Sequence, residues 1–275
     1  MKTLALGKST FRDLINNGSL YVDKTKEIYN LIDNEDKNYF FLSRPRRFGK
    51  SLLISTLEEI FLGNKELFKD LYIYDKIEWK KYPVITITMN DLIYNRDINY
   101  FKKSLFEQLK SISKKYNLIL ETEEPKLAFR SLIEQLSEQS FYKKVVVLID
   151  EYDKPITEFI EEVEISRNYR ESIKNFYETI KANDKYIRFC MLTGVSKFSK
   201  TSVFSSLNNL NDITLDSEHS QIVGINEEQL YSYFDKHIIK PGKKYNQNEE
   251  DIKQGLKTWY NGYSWDGENF LYNPL

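Results

Sequence analysis

The sequence predicts an α/β fold, a three-layer αβα sandwich whose central sheet is mostly parallel. Three observations support this prediction. The apolar runs 39–42 and 145–149 have the length and composition of strands that are covered on both faces. The apolar residues between 98 and 112 recur at helical spacing, so a helix separates these strands. Charged residues closely follow both runs, at the edge where parallel sheets hold ligands.

Composition limits the class of protein. A chain of 275 residues can bury one large core, or one large and one small unit. Its 40 basic and 41 acidic residues give a formal net charge of -1, which does not support a chain-wide nucleic-acid surface but leaves a local patch open. The single cysteine, Cys190, rules out a disulfide framework. No signal core or long apolar window occurs, so we expect a cytoplasmic protein without a membrane segment.

Two helices are predicted before the first strand. Thr10 has the residue type of a helix N-cap, an acidic residue lies in the turn that follows, and Asn17-Gly18 would end that helix. Residues 20–25 are predicted to be extended, and residues 26–32 to form the second helix. After the first strand, an amphipathic segment predicts a helix that ends near Gly63.

The same criteria place the remaining elements. The segment 199–216 is rich in Ser, Asn and Thr and is interpreted as a mobile loop with a short helix. The last two helices are expected to form a small helical lid, so we divide the chain into residues 1–224 and 225–275. The predicted strands are 83–89, 145–149 and 187–192, and the predicted helices are 98–112, 126–139, 226–238 and 249–259.

The stretch from Asn38 to Ser51 organises the chain. It is an apolar strand, then a basic loop, then Gly49-Lys50-Ser51 at a helix start, which is the context of a phosphate-binding P-loop. Gly49 permits close approach of the backbone to a phosphate, and the helix N-terminus offers unpaired N–H groups. Lys50 would reach the β- and γ-phosphates, and the Ser51 hydroxyl would bind magnesium.

The motif departs from G-x-x-x-x-G-K-[ST] at its first position, where Arg44 replaces glycine. Pro45 removes one backbone donor, and three arginines add positive charge, so we expect a phosphate cradle that relies on side chains. The alternative is a strand-turn-helix junction with a solvated basic turn. The expected nucleotide-binding residues are Arg44, Pro45, Arg46, Arg47, Phe48, Gly49, Lys50, Ser51 and Leu52.

A second motif follows the apolar run 145–149. Asp150-Glu151 after a buried strand is the Walker B pattern, in which Asp150 would hold magnesium and Glu151 would orient the attacking water. Asp153 has the residue type of an N-cap, because Pro155 lies in the turn that follows it. The strand at 187–192 ends in Thr193, and Thr193 or Ser196 would contact the γ-phosphate or the water.

The order of these motifs supports a specific arrangement. One strand lies between the P-loop strand and the Walker B strand in the sequence, and another follows. Together with the glutamate after the Walker B aspartate, this fits the additional-strand class of P-loop ATPases. The predicted cofactors are therefore ATP and Mg²⁺, and the predicted catalytic residues are Lys50, Glu151 and Thr193.

With these residues in place, the chain resembles the AAA-ATPase-like family of bacterial proteins. Arginine at the first position of the P-loop motif is usual in that family, and many members continue into a restriction-endonuclease-like domain that we do not expect within these 275 residues. The matching segments are Tyr21–Thr25, Arg44–Ser51, Val147–Pro155, Leu192–Lys197, Trp259–Tyr263 and Tyr272–Pro274.

The resemblance implies ATP binding, slow hydrolysis and use of the lid as a switch. Two alternatives stay open. One is an interaction module that nucleotide stabilises without turnover, and the other is an ATP-dependent regulator of a nucleic-acid-processing partner. A protein partner or self-association is compatible with all three, whereas the net charge does not favour nucleic acid.

Overall fold

The computed structural model describes residues 2–4, 7, 10–33, 37–197, 207, 209–245 and 248–274, with the backbone alone for 239–245. The α-helices are α1 (Phe11–Asn16), α2 (Thr25–Ile32), α3 (Lys50–Phe61), α4 (Ile98–Lys115), α5 (Pro125–Gln139), α6 (Lys154–Thr157), α7 (Val163–Ala182), α8 (Glu227–Tyr245) and α9 (Glu249–Tyr260). Short 3-10 helices cover Lys65–Phe68, Tyr72–Asp75, Met89–Asp91, Asp184–Tyr186 and Ser217–His219.

A five-stranded sheet lies at the centre of the described chain, and all its strand pairs are parallel. The spatial order is β2-β3-β4-β1-β5, so β4 lies between β1 and β3. This confirms the α/β prediction with an additional strand. The strands are β1 (Tyr39–Ser43), β2 (Val84–Thr88), β3 (Val145–Asp150), β4 (Ile187–Gly194) and β5 (Asn211–Asp212).

The strand β5 was missed by the sequence analysis, which interpreted 199–216 as a loop. Two residues show no periodicity, so only the pairing of β5 with β1 makes it recognisable as a strand. The predicted mobile loop otherwise falls largely on residues 199–206 and 208, which lie outside the described residues.

Helices cover both faces of the sheet because the strand side chains alternate between two cores. Phe41, Val147 and the free Cys190 face the core formed with α4, α5 and α7. Phe40 and Met191 face the core formed with α1, α2 and α3. The sheet is therefore buried on both sides, which explains why its strands are continuous apolar runs.

The helices α8 and α9 pack against each other through a separate small cluster that includes Leu230 and Tyr272. After α9 the chain returns to the main body, where Leu271 is fully buried in the core beside α3. A bridge between Ile225 and Tyr272 joins this C-terminal segment to the chain just before α8. No helix among the described residues is long and apolar enough to cross a bilayer.

Candidate functional site

The loop between β1 and α3 takes the shape of an anion-binding turn. Gly49 occupies the N-cap position of α3 with φ 94°, a left-handed conformation that favours glycine. Because Gly49 has no side chain, it cannot cap the first amides of α3 and leaves them available to a ligand. Arg47 is also left-handed, with φ 69°, and such a conformation costs a non-glycine residue about 1–2 kcal/mol.

The Lys50 side chain folds back under this loop. Its Nζ donates to the carbonyl oxygens of Arg44 at 2.9 Å and Pro45 at 3.0 Å, and the residue is buried. Burial lowers the pKa of Lys50, and the negative charges of Asp150 and Glu151 oppose that shift. The Lys50 ammonium group is thus hydrogen-bonded to neutral acceptors and lies close to the carboxylates of Asp150 and Glu151.

The Arg44 guanidinium does not face a phosphate site, so the prediction that it adds charge to the cradle is wrong. The side chain is 1% exposed, and Nη1 donates to the carbonyl oxygens of Ser43 at 2.9 Å and Thr214 at 2.7 Å. Its guanidinium carbon lies 4.1 Å from the centre of the Trp265 ring. Burial lowers the pKa of Arg44 to about 10. Arg44 fixes the loop to distant parts of the chain.

Phe48 also points away from the loop surface. It is fully buried, and its ring centre lies 4.8 Å from that of Tyr263 and 5.1 Å from that of Trp265. The side chain of Phe48 therefore attaches the loop to the C-terminal segment and is not placed to bind a nucleotide. By contrast, Arg46 and Arg47 are exposed, and within the described part of the chain neither guanidinium has an ion pair or hydrogen bond.

Asp150 and Thr193 meet at the carboxyl edge of the sheet. The Thr193 hydroxyl donates to Asp150 Oδ1 at 2.5 Å, and both side chains are buried. Because β3 and β4 are parallel and paired, Asp150 and Thr193 end neighbouring strands. The two residues that the sequence offered as sensors have different partners, since the Thr193 side chain contacts Asp150, whereas the Ser196 amide donates to Asp153.

Glu151 follows Asp150 in a left-handed conformation, with φ 55°. Its carboxylate is half-buried, and burial, followed by the negative charge of Asp150, raises its pKa, while Lys50 lowers it. A carboxyl group with a raised pKa beside a second carboxylate is a common feature of catalytic bases.

Ser51, Asp150 and Glu151 line one polar cleft of about 380 Å³. The cleft lies along α3 and the carboxyl ends of β2 and β3. The groups that the sequence assigned to metal binding and to water activation therefore share one cavity. The other lining residues are Thr10, Ile54, Ser55, Glu58, Thr86, Thr88, Asn90 and Asp91.

Comparison with known proteins agrees with this geometry. The model of a family described as Predicted AAA-ATPase matches residues 5–204. The chain belongs to this family. An uncharacterised protein from Azotobacter chroococcum mcd 1, described by its position in the vnfD 5′ region, is 39% identical over 276 residues. That alignment covers 100% of this chain and 51% of the relative, so the chain spans about half the relative's length. No solved structure matches the chain.

The side chain of Asp153 does not act as the helix cap that the sequence suggested. It occupies the N-cap position of α6, but its side chain makes no capping hydrogen bond. Instead, Asp153 Oδ2 accepts from the amides of Val195 at 3.1 Å and Ser196 at 2.6 Å. The amides of the turn after β4 therefore bind this carboxylate, and the first amides of α6 do not.

Lys24, Tyr263 and Trp265 make long-range contacts that were not predicted from the sequence. Lys24, from the motif at 21–25, is buried, and its Nζ donates to Gln221 O at 2.9 Å and Gln229 Oε1 at 2.7 Å. Burial lowers the pKa of Lys24 to about 8. Lys24 and Tyr263 belong to segments that carry the family resemblance, and Trp265 lies two positions after one of them. That resemblance was the sequence signal that could have identified these residues.

In the structure, His219 has acidic neighbours, and one potential ligand atom each from Asp216, Glu218 and His219 lie within 4.8 Å of one another. Asp216 already accepts from the Glu218 amide at 3.0 Å. The three residues lie within four positions of one another in one short turn, so their proximity follows from local geometry.

Proposed function

We propose that the chain binds ATP with Mg²⁺ at the cleft between α3 and β3 and hydrolyses it as a nucleotide switch. One observation carries the proposal. Ser51 at the start of α3 and the carboxylates of Asp150 and Glu151 line a single cleft, beside a loop whose helix amides are uncapped. This combines a phosphate site with a metal ligand set and a candidate base.

The residues fit both cofactors. Each hydrogen bond of Lys50 Nζ within the described residues goes to a neutral carbonyl of its own loop, and phosphate oxygens would be stronger, charged acceptors. The Ser51 hydroxyl and the Asp150 carboxylate are the hard oxygen ligands that Mg²⁺ prefers. Magnesium bound there would neutralise charge on the β- and γ-phosphates.

In the proposed reaction, Lys50 and the first amides of α3 hold the terminal phosphates. The Glu151 carboxylate orients the attacking water and accepts its proton, and its raised pKa favours this role. Thr193 holds the Asp150 carboxylate by donating to Oδ1, which leaves Oδ2 for a metal ion. Arg46 and Arg47 are exposed on the loop and could contact phosphate from outside.

The test is Lys50→Ala with titration calorimetry of ATP and a phosphate-release assay. We expect ATP affinity to fall by about 100-fold, because no other loop side chain can bridge the terminal phosphates. Lys110→Ala provides a matched control, since Lys110 lies on α4 and is part-exposed. Undiminished ATP binding by Lys50→Ala would contradict the proposed site.

The same assays separate the alternatives. Binding without phosphate release would favour a nucleotide-stabilised interaction module, which the burial of Arg44 and Phe48 against the C-terminal segment also supports. Release stimulated by DNA or RNA would favour a regulator of a nucleic-acid-processing partner. Release that neither nucleic acid changes would leave the switch proposed above.

A further inference from the structure

The turn after β3 and the turn after β4 are joined by several hydrogen bonds. The Tyr152 amide donates to Thr193 O at 2.9 Å, and the Tyr152 hydroxyl donates to Ser196 O at 2.8 Å. The Asp153 carboxylate accepts from the amides of Val195 and Ser196. Together with the bond from the Thr193 hydroxyl to Asp150, these contacts link the two turns at successive positions.

The contact between these two turns is tightly packed. Tyr152 is fully buried and Asp153 is 3% exposed. A Cβ added at Gly194 would lie 2.5 Å from the Tyr152 ring and 2.6 Å from Asp153 Oδ1, closer than real Cβ atoms come to other atoms. Only glycine therefore lets the β4 turn approach so closely.

We propose that Asp153 is a positioning residue for the ATPase reaction, acting through the turn after β4 to hold Thr193 on Asp150. The inference rests on the proposed function and extends it to a residue outside both nucleotide motifs. Asp153 does not line the cleft, so it does not contact the proposed metal or nucleotide directly, although its negative charge acts to raise the pKa of Lys50 and of Glu151.

The orientation of the Asp150 carboxylate depends on Thr193. This carboxylate can bind a metal ion in a fixed orientation only if Thr193 stays in place, and Thr193 is followed directly by the turn that Asp153 binds. Without Asp153, the amides of Val195 and Ser196 lose a charged acceptor and the turn can shift. Residues that support metal ligands typically change metal affinity or activity by 10- to 100-fold when removed.

The experiment compares wild type, Asp153→Ala and Asp153→Asn in three measurements: ATP affinity without and with Mg²⁺, phosphate release, and amide hydrogen exchange of residues 194–197. For Asp153→Ala we expect an unchanged affinity without Mg²⁺, a loss of about tenfold in the Mg²⁺ enhancement and in kcat, and faster exchange. Asp153→Asn should recover part of each, because its amide oxygen can still accept a hydrogen bond.

Two further variants guard against simple destabilisation. Tyr152→Phe removes only the hydroxyl that donates to Ser196 O and should reproduce a weaker form of the same pattern. Asp97→Ala removes an aspartate that does cap a helix, by accepting from the Asn99 amide at 2.9 Å, and should change none of the three measurements. A metal-independent loss of ATP affinity in Asp153→Ala would indicate general damage and overturn the inference.

The outcomes also separate this inference from the proposed function. If wild type binds and hydrolyses ATP but Asp153→Ala retains the Mg²⁺ enhancement and kcat, the positioning role is wrong and the proposed function stands. If wild type does not bind ATP, the proposed function fails and the positioning role fails with it. In that case faster exchange in Asp153→Ala would show only a structural contact.

Discussion

Glu151 shows how one backbone angle brings two carboxylates into one cleft. In an extended strand, residues next to each other point to opposite faces, so Glu151 would face away from Asp150. The left-handed φ of 55° turns the chain directly after β3, and both residues line the cleft. Such a conformation costs a non-glycine residue about 1–3 kcal/mol and is often found at functional sites.

We expect Glu151→Gln to bind ATP and Mg²⁺ normally while phosphate release falls by roughly 100-fold or more, because the variant keeps size and hydrogen bonding but removes the base. Asp150→Asn should instead weaken the Mg²⁺-dependent part of binding. The measurements are titration calorimetry and single-turnover hydrolysis. Equal release from wild type and Glu151→Gln, after correction for contaminating ATPase, would exclude Glu151 as the base.

The acid limb of the pH profile provides a second test of Glu151. Burial raises its pKa above the ordinary value of 4.5, and the base must be deprotonated to act. Turnover should therefore be full above the raised pKa and be lost as the pH falls through it, at a higher pH than for an exposed glutamate. The pH dependence of kcat/KM, which reports on groups of the free enzyme, measures this loss. If Glu151→Gln loses activity over the same acidic pH range as wild type, the loss belongs to another group.

At the scale of the element, the loop between β1 and α3 holds its three arginines in two different environments. Arg44 is buried and bound to Ser43 O and Thr214 O, whereas Arg46 and Arg47 are exposed. The three arginines look alike in the sequence, and only their surroundings distinguish them. Variants of the two kinds should therefore affect different properties.

We expect the double variant Arg46→Gln with Arg47→Gln to weaken ATP binding by about tenfold and to reduce its dependence on salt, with an unchanged unfolding midpoint. Arg44→Gln should instead lower the free energy of unfolding by about 1–3 kcal/mol, because buried carbonyl acceptors lose a charged donor. Calorimetry at several salt concentrations and urea unfolding measure these effects. Unchanged ATP affinity of the double variant at every salt concentration would remove both arginines from the site.

At the scale of the whole molecule, the loop between β1 and α3 is attached to the C-terminal segment that follows α9. Phe48 packs on Tyr263 and Trp265, and its carbonyl accepts from the Gly224 amide at 3.1 Å. Gly224 directly precedes Ile225, which forms a bridge with Tyr272, so one loop contacts both ends of the residues 224–274.

Phe48→Ala should lower the free energy of unfolding by about 3–5 kcal/mol, the usual cost of removing a buried phenylalanine. The segment 261–274 should also become more sensitive to limited proteolysis, because its main contact with the loop is lost. Phe270→Ala is the matched control, since Phe270 belongs to the same segment but is 54% exposed. Equal stability and equal proteolysis of the two variants would contradict the attachment described here.

Much of the fold was predictable because its signals are local. The five-residue run of β3 and the stripe on α4 have periodicities that arise from neighbouring residues alone, and both elements formed where predicted. The prediction that Asp153 caps α6 failed because the N-cap pattern contains only neighbouring residues. The amides that Asp153 binds instead, those of Val195 and Ser196, lie more than 40 positions away in the sequence.

The sequence alone determined that a strand, a glycine-containing loop and a helix follow one another, and that an aspartate and a glutamate end a buried strand. These properties depend on backbone conformation and short-range spacing. Only the tertiary structure decided that Arg44 and Phe48 face the C-terminal segment, that Thr193 holds Asp150, and that Asp153 holds the next turn. Each of these contacts joins residues far apart in the chain, and which partner a charged or aromatic side chain reaches depends on how the strands and loops are packed.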